Sequence, residues 1–171
     1  MNRSRSIAVL FTLASIASLN AQNPFSADTK QSYTGIKNTL LKAADKMPEA
    51  GYSFRTTPQV RTYGEIIGHI ADVQMMLCGI AKGEQKAGTA GKLTSKADLS
   101  AALKASFDYC DSVYNSMTDA DGTTKVKMFG GDMTKLGVLN FNIAHDNEMY
   151  GTAVAYLRIK GIVPPSSEGR P

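Results

Sequence analysis

The sequence has no tryptophan and only two cysteines and two histidines among its 171 residues. It contains no strand-rich segment and no GxxxxGK[ST] pattern, which excludes a P-loop nucleotide-binding protein. Beyond the first 21 residues, no segment approaches the roughly 18 consecutive apolar residues of a membrane-spanning helix. We therefore expect a protein without a membrane span, whose chemistry depends on very few histidines and cysteines.

The charge balance argues against a nucleic-acid partner. The chain carries a formal net charge of +4 at pH 7. Residues 1–21 contain Arg3, Arg5 and no acidic residue, so the rest of the chain carries only +2. A charge this small does not predict the basic surface that binds phosphate backbones.

Residues 1–21 have the layout of a secretory signal peptide. Arg3 and Arg5 precede a short apolar run at residues 7–16, and a small-residue cleavage site ends at Ala21. We expect cleavage near Ala21 and export of the mature protein to the periplasm or the medium. The alternative is a buried N-terminal helix.

Four amphipathic segments, separated by loops, follow the signal peptide. Each repeats apolar residues at three- and four-residue spacing, which is typical of a helix with one buried face. The predicted helices cover about Phe25–Lys46, Thr57 or Arg61 to Lys82, Ser95 to about Met117, and the long stretch Gly131–Pro165 with Gly161 as its C-terminal cap. The predicted fold is all-α, a four-helix bundle over residues 22–165 with a short tail at 166–171.

Each predicted helix has one stripe that we expect to face the core. Both histidines fall on such stripes, so a bundle should bring His69 and His145 toward one core. The stripes are Tyr33, Ile36, Leu40, Ala43 and Met47; Thr62, Ile66, His69, Val73, Met76 and Ile80; Leu99, Leu103, Phe107, Cys110 and Met117; and Val138, Phe141, His145, Met149, Thr152, Tyr156 and Ile159.

Cys78 and Cys110 lie on the second and third predicted helices. An exported protein meets an oxidising compartment, which permits a disulfide between them. The alternative is that both are small buried hydrophobic residues.

Two inward histidines on different helices are the start of a metal site, which normally needs a third protein ligand. Asp72 and Glu148 are candidates, since each lies three residues after a histidine. Either could also serve as a general base. The alternative is that both carboxylates are solvated surface groups.

Two blocks of the sequence resemble the DinB (DinB/YfiT-like) family. They are residues 57–78, with TP and RTYGEIIGHIAD, and residues 145–167, with HDNEMYG, YLR and GIVPPSS. The resemblance implies a four-helix bundle that often pairs into homodimers. It also implies activity as a metal-dependent hydrolase or a thiol-dependent transferase, although many members have no known activity.

Members of that family typically hold zinc or nickel with three histidines, one on the second helix and two spaced His-x-x-x-His on the last. Carried over by position, the first two ligands match His69 and His145. The third falls on Met149. A thioether is a poor zinc or nickel ligand, so this departure should cost much of the metal affinity.

Three interpretations follow. The metal is lost and Met149 fills the core; or a weakened site survives with His69, His145 and Glu148 or Asp72; or His–His–Met has become a copper site. We therefore expect an exported DinB-like bundle that binds a divalent metal, or is a metal-dependent enzyme, with an impaired third ligand. The alternative is a metal-free bundle that binds a small molecule or a protein.

Overall fold

Four long helices account for most of the chain in a computed structural model that describes residues 23–169. The predicted signal peptide lies outside these residues. The helices are α1 (Pro24–Lys46), α2 (Tyr63–Lys82), α3 (Lys96–Ser116) and α5 (Lys135–Ile159), with a single-turn helix α4 (Asp119–Gly122) before the last. Within the described residues, no helix is both long and apolar enough to cross a membrane.

Polar caps fix the starts of these helices. At α2, the Thr62 hydroxyl accepts a hydrogen bond from the Glu65 N–H, and the Glu65 carboxylate accepts one from the Thr62 N–H, which is a capping box. Ser95 caps α3 by accepting from the Asp98 N–H. Gly161 follows the end of α5 with a φ of 72°, as its predicted capping role requires.

The helices close into a bundle because each long helix packs against two others. α2 contacts α3 and α5, and α1 contacts the same two helices from the opposite side. Buried tyrosines join the helices by donating hydrogen bonds to backbone carbonyls: Tyr33 to Phe107, Tyr63 to Ala43, and Tyr114 to Leu139. The predicted four-helix bundle is confirmed.

A β-hairpin precedes the last helix, where the sequence predicted a loop with at most a short extended piece at residues 126–129, and the start of that helix at Gly131. Strand β1 (Lys125–Met128) pairs antiparallel with β2 (Gly131–Thr134). Phe129 and Gly130 connect them with φ values of 50° and 84°, the two positive values of a type I′ turn. The prediction was wrong by four residues because strands this short carry almost no periodic signal.

The predicted inward faces are right for two helices. On α1 and α3 every residue of the stripe that lies in the helix is buried. On α5 the stripe is only partly right. Val138 and Tyr156 are buried, but Phe141 is 41% exposed, Ile159 is 60% exposed, and Thr152 is also exposed. The buried residues are Val138, Leu139, Asn142, Asp146, Tyr150, Ala153, Tyr156 and Leu157.

The buried face of α2 is rotated in the same sense. His69, Val73, Met76 and Ile80 are only half-buried, whereas Gln74 is fully buried. The physical reason is the same for both helices. Polar residues occupy core positions there, so a stripe predicted from apolar residues alone lies to one side of the true buried face. The two histidines consequently lie at the margin of the core.

The start of the predicted C-terminal tail is docked on the bundle. Residues Pro165–Ser167 form one 3-10 turn. The Tyr150 hydroxyl and the Ser166 hydroxyl are 2.8 Å apart, and Glu168 forms an ion pair with Lys46 of α1.

Candidate functional site

His69 of α2 and His145 of α5 face each other across the interface of their helices. Their Nε2 atoms are 3.2 Å apart, and the rings meet at 68° with centroids 5.1 Å apart. The structure therefore brings together the two histidines that the sequence predicted.

Beneath this histidine pair lies a buried polar network. The Gln74 amide nitrogen donates to Asp146 Oδ2 at 2.6 Å, and its oxygen accepts from Asn142 Nδ2 at 2.8 Å. All three side chains are 0% exposed. Asn142 Nδ2 also lies 3.2 Å from the Tyr114 hydroxyl. One glutamine thus satisfies a carboxylate and an amide from the neighbouring helix.

Three buried polar atoms lack a hydrogen-bond partner among the described residues: Asn142 Oδ1, His145 Nδ1 and Asp146 Oδ1. His145 Nδ1 and Asp146 Oδ1 are 3.9 Å apart, too far for a hydrogen bond. Burial raises the pKa of Asp146 to about 6, and His145 partly offsets that rise. The Asp146 carboxyl therefore lies next to the His145 ring without a hydrogen bond to it.

The surroundings of His69 favour the neutral form of its imidazole. Burial lowers the pKa of His69, and the charge of Arg61 and the proximity of His145 lower it further, against the opposing effect of Asp72 and Glu148. A neutral imidazole keeps a lone pair on one nitrogen, which is the form that binds a metal or accepts a proton.

An open cleft of about 430 Å³ leads from the surface to His69. It lies between the α1–α2 connector, the start of α2 and the loop before α3. Its lining residues are Arg55, Pro58, Gln59, Val60, Arg61, Glu65, His69, Asp72 and Gly91.

The other predicted ligands are placed differently. Both Asp72 oxygens accept backbone hydrogen bonds, from Ala90 N at 2.7 Å and Gly91 N at 2.9 Å. Glu148 is exposed, and Met149 is half-buried one helical turn after His145. Within residues 23–169, no group of three His, Cys, Asp or Glu side chains is arranged to hold a metal ion.

Cys78 and Cys110 are joined as a disulfide between α2 and α3, with their Cα atoms 5.4 Å apart. Cys110 Sγ lies 3.0 Å from the Gln74 side-chain oxygen. Because neither sulfur carries a proton, this is a close contact and not a hydrogen bond. The disulfide thus borders the buried network.

The histidine pair fits two positions of a divalent metal site. At zinc–nitrogen distances of about 2.0–2.1 Å, two ligands of a tetrahedral ion lie about 3.3 Å apart, close to the observed 3.2 Å. The Asp146 carboxyl near His145 Nδ1 resembles the carboxylate that often supports a metal-binding histidine. The donor set fits an ion held by two imidazoles with open positions, and it does not fit a closed three-histidine site.

The chain belongs to the DinB superfamily. A sequence profile of that superfamily matches residues 33–153, which include α2, α3, both histidines and most of α5. The four-helix bundle, the two paired histidines and this sequence match all agree with membership of that superfamily. No curated protein shows significant sequence similarity to the chain.

Solved structures share the fold. A DinB-like protein from Bacillus cereus is 23% identical, with a TM-score of 0.69 over 80% of this chain and 93% of that one. A DinB-like protein from Bacillus subtilis is 18% identical, with a TM-score of 0.66 over 78% and 92%. A mycothiol-dependent maleylpyruvate isomerase is 13% identical, with a TM-score of 0.62 over 75% of this chain and 59% of the isomerase.

Sequence reasoning missed Gln74, Asn142 and Asp146, as well as the two arginines of the cleft. The spacing of Asn142 and Asp146 carried a signal, because i and i+4 share one face. Leu139 precedes the pair on that same face. No comparable signal marks Arg55 and Arg61, which lie in a connector whose path depends on tertiary contacts.

Proposed function

We propose that this DinB-superfamily protein is an exported four-helix bundle that binds a divalent metal ion weakly through His69 and His145. The ion lies at the inner end of the cleft, with coordination positions left for water or a ligand. Zinc or nickel is the expected metal. Met149 stands where a third histidine would complete a tight site.

The observation that carries this proposal is the 3.2 Å separation of the two Nε2 atoms. The lowered pKa of His69 supports it, because metal binding requires a deprotonated nitrogen. The Asp146 carboxyl supports it as well, because it lies 3.9 Å from His145 Nδ1, on the side of the ring away from the proposed ion.

A metal ion held in this way would supply a Lewis acid to a molecule in the cleft. The chain's own part is to orient the two imidazoles and to admit the ligand from one side. A thiol-dependent activity, as in the name of the mycothiol-dependent isomerase, would need an external thiol here, because Cys78 and Cys110 are joined.

The second candidate function is metal-free binding of a small molecule. The same 3.2 Å separation suits an N–H···N hydrogen bond between two neutral imidazoles. Met149 then fills the margin of the core, and the cleft above His69 is the binding site.

Metal titration distinguishes the two functions. Residues 22–171, produced without an affinity tag and stripped of metal, are titrated calorimetrically with Zn²⁺, Ni²⁺ and Cu²⁺. We expect one site per chain in the wild type and loss of binding in His145→Ala. Met149→His should bind roughly 100-fold tighter, because each ligand of a four-ligand zinc site contributes on the order of 3 kcal/mol.

The control is Met117→His, which adds a histidine at a half-buried methionine on the end of α3, away from the pair. Its affinity should equal that of the wild type. Equal affinities in wild type and His145→Ala would contradict the metal function and favour the metal-free one. Binding of copper alone would favour a His–His–Met site.

We also propose that the protein is exported, because residues 1–21 have the pattern of a signal peptide. We propose a homodimer because the family resemblance implies one. Intact mass of the exported protein should correspond to cleavage near Ala21. Light scattering during size-exclusion chromatography should give twice the chain mass. A full-length cytoplasmic product would contradict export. A monomer at micromolar concentration would contradict homodimerisation.

A further inference from the structure

The connector between α1 and α2 forms a firmly held wall of the cleft. The Tyr63 N–H donates to the Phe54 carbonyl at 2.9 Å, and the Tyr156 hydroxyl of α5 donates to the Arg61 carbonyl at 2.6 Å. The Phe54 ring meets the Tyr156 ring edge-on, with centroids 5.8 Å apart. The backbone that carries Arg55 and Arg61 is therefore tied to two helices.

The acidic residues of the cleft already have partners. Glu65 accepts from the Thr62 N–H in the capping box, and that bond is the main reason its pKa lies below the ordinary value. Asp72 accepts from two backbone N–H groups of the loop before α3. Both carboxylates are thus directed at the backbone.

Arg55 and Arg61 act on Glu65 only through space, where their charges lower its pKa further. Neither the Arg55 nor the Arg61 guanidinium has a carboxylate within 4.0 Å in the part of the chain that the structure describes. Both arginines are exposed and line the cleft, together with the apolar side chains of Pro58 and Val60. Val60 is 40% exposed there.

The start of α2 cannot supply the anion-binding groups itself. The N–H groups of Tyr63, Gly64 and Glu65 are bonded to Phe54 O, Tyr52 O and Thr62 Oγ1. A helix N-terminus binds anions only through free N–H groups. Recognition of an anion in this cleft therefore falls to the guanidinium groups.

We propose that the cleft binds a small organic anion, whose carboxylate or phosphate group pairs with Arg55 and Arg61 while its body extends past Val60 to His69. Guanidinium groups match both oxyanions in charge and geometry. A volume of about 430 Å³ suits a small molecule. The ligand's inner end lies at His69, beside the proposed metal site, and this inference rests on the proposed function only in that placement.

The test uses the mature protein stripped of metal and two probes, succinate and inorganic phosphate. Binding is followed by ¹H–¹⁵N NMR at constant ionic strength, with sodium chloride as the reference salt. We expect shifts concentrated in residues 55–72. The variants Arg55→Gln and Arg61→Gln should each weaken binding about tenfold, the value of one charge-assisted hydrogen bond.

Arg158→Gln is the matched control, because it removes the same charge from an exposed arginine on α5 that contacts Ser167. Its affinity should stay within about twofold of the wild type, since surface charges are largely screened by salt. Tighter binding of succinate would indicate a carboxylate ligand, and tighter binding of phosphate a phosphate ester. Equal losses in Arg158→Gln and Arg61→Gln, or shifts that chloride reproduces, would overturn the proposal.

His145→Ala separates this proposal from the metal site. It should abolish metal binding and leave the affinity for the anion probes within about twofold, because His145 is not among the residues that line the cleft. Metal binding without anion binding would overturn the anion site alone. Anion binding without metal binding would overturn the metal function alone. Circular dichroism checks that each variant is folded.

Discussion

Two polar clusters occupy the same interface between α2 and α5, and on α5 their members His145 and Asp146 are adjacent in the sequence. Gln74 and Asp146 point into the core, fully buried, and bond each other. His69 and His145 lie at the margin, and the His145 side chain keeps 13% of its surface exposed. Adjacent positions on a helix diverge by about 100°, so one residue separates an inaccessible network from a site that a ligand can reach.

The two clusters are both polar, so the difference in their burial is what distinguishes a structural role from a binding role. The inner cluster satisfies most of its hydrogen bonds within the protein, which predicts a structural role. The outer pair presents nitrogen lone pairs next to a cleft, which predicts a binding role. Substitutions in the two clusters should therefore affect different properties.

The largest effect on stability is expected from Gln74→Ala. It leaves the Asp146 carboxyl and the Asn142 amide without their partner in a fully buried setting, at a cost of about 3–5 kcal/mol. Urea unfolding followed by circular dichroism measures this change. The control Gln85→Ala lies in an exposed loop and should change stability by less than about 0.5 kcal/mol. A loss below about 1 kcal/mol in Gln74→Ala would contradict the structural role of the network.

Asp146→Asn should make stability less dependent on pH. Because burial raises the pKa of Asp146 to about 6 from 3.8, the native protein binds this proton more tightly than the unfolded chain. Stability from this group is thus present below pH 4 and is lost as pH rises through 6, by on the order of 2–3 kcal/mol. The lowered pKa of His69 acts in the opposite direction, since its contribution is lost as pH falls below 6.5.

The difference in the free energy of unfolding between Asp146→Asn and the wild type reports the contribution of the Asp146 carboxyl group. The variant should gain stability relative to the wild type between pH 4 and pH 7 and then stay level. Urea unfolding at pH 4, 5.5, 7 and 8 gives this curve. A difference that is constant over the range would show that Asp146 has an ordinary pKa.

A smaller effect on stability is expected from His69→Ala. The side chain is half-buried at the margin, so its loss should cost about 1 kcal/mol or less. Metal binding should be lost in the same variant. Thermal unfolding and metal titration of one preparation test both statements. A loss as large as that in Gln74→Ala would mean that the two clusters do not differ in role.

Local signals predicted the bundle well. The Ser95 cap and Gly161 placed two helix ends, because side chain–backbone bonds and backbone conformation within a few residues decide them. The capping box at Thr62 was not predicted, and the start of that helix stayed open between Thr57 and Arg61. The inward stripes of α1 and α3 are apolar throughout, so periodicity identified them.

Periodicity failed on α2 and α5 because Gln74, Asn142 and Asp146 are polar residues in the core. Their burial is stable only through mutual hydrogen bonds across two helices, which the sequence pattern of either helix cannot reveal. The two histidines were identified, but their position at the margin was not. The cleft was missed because Arg55 and Arg61 reach it through the fold of the connector.

Nitrogen-15 NMR of the two imidazoles tests the central claim most directly, because His69 and His145 are the only histidines of the chain. Long-range ¹H–¹⁵N spectra of the untagged, metal-free mature protein are recorded before and after addition of Zn²⁺. We predict that both Nε2 resonances move to values typical of metal-bound nitrogen, and that both Nδ1 atoms are protonated in the zinc-bound form. Unchanged spectra, or a shift of one histidine alone, would contradict a metal site shared by the pair.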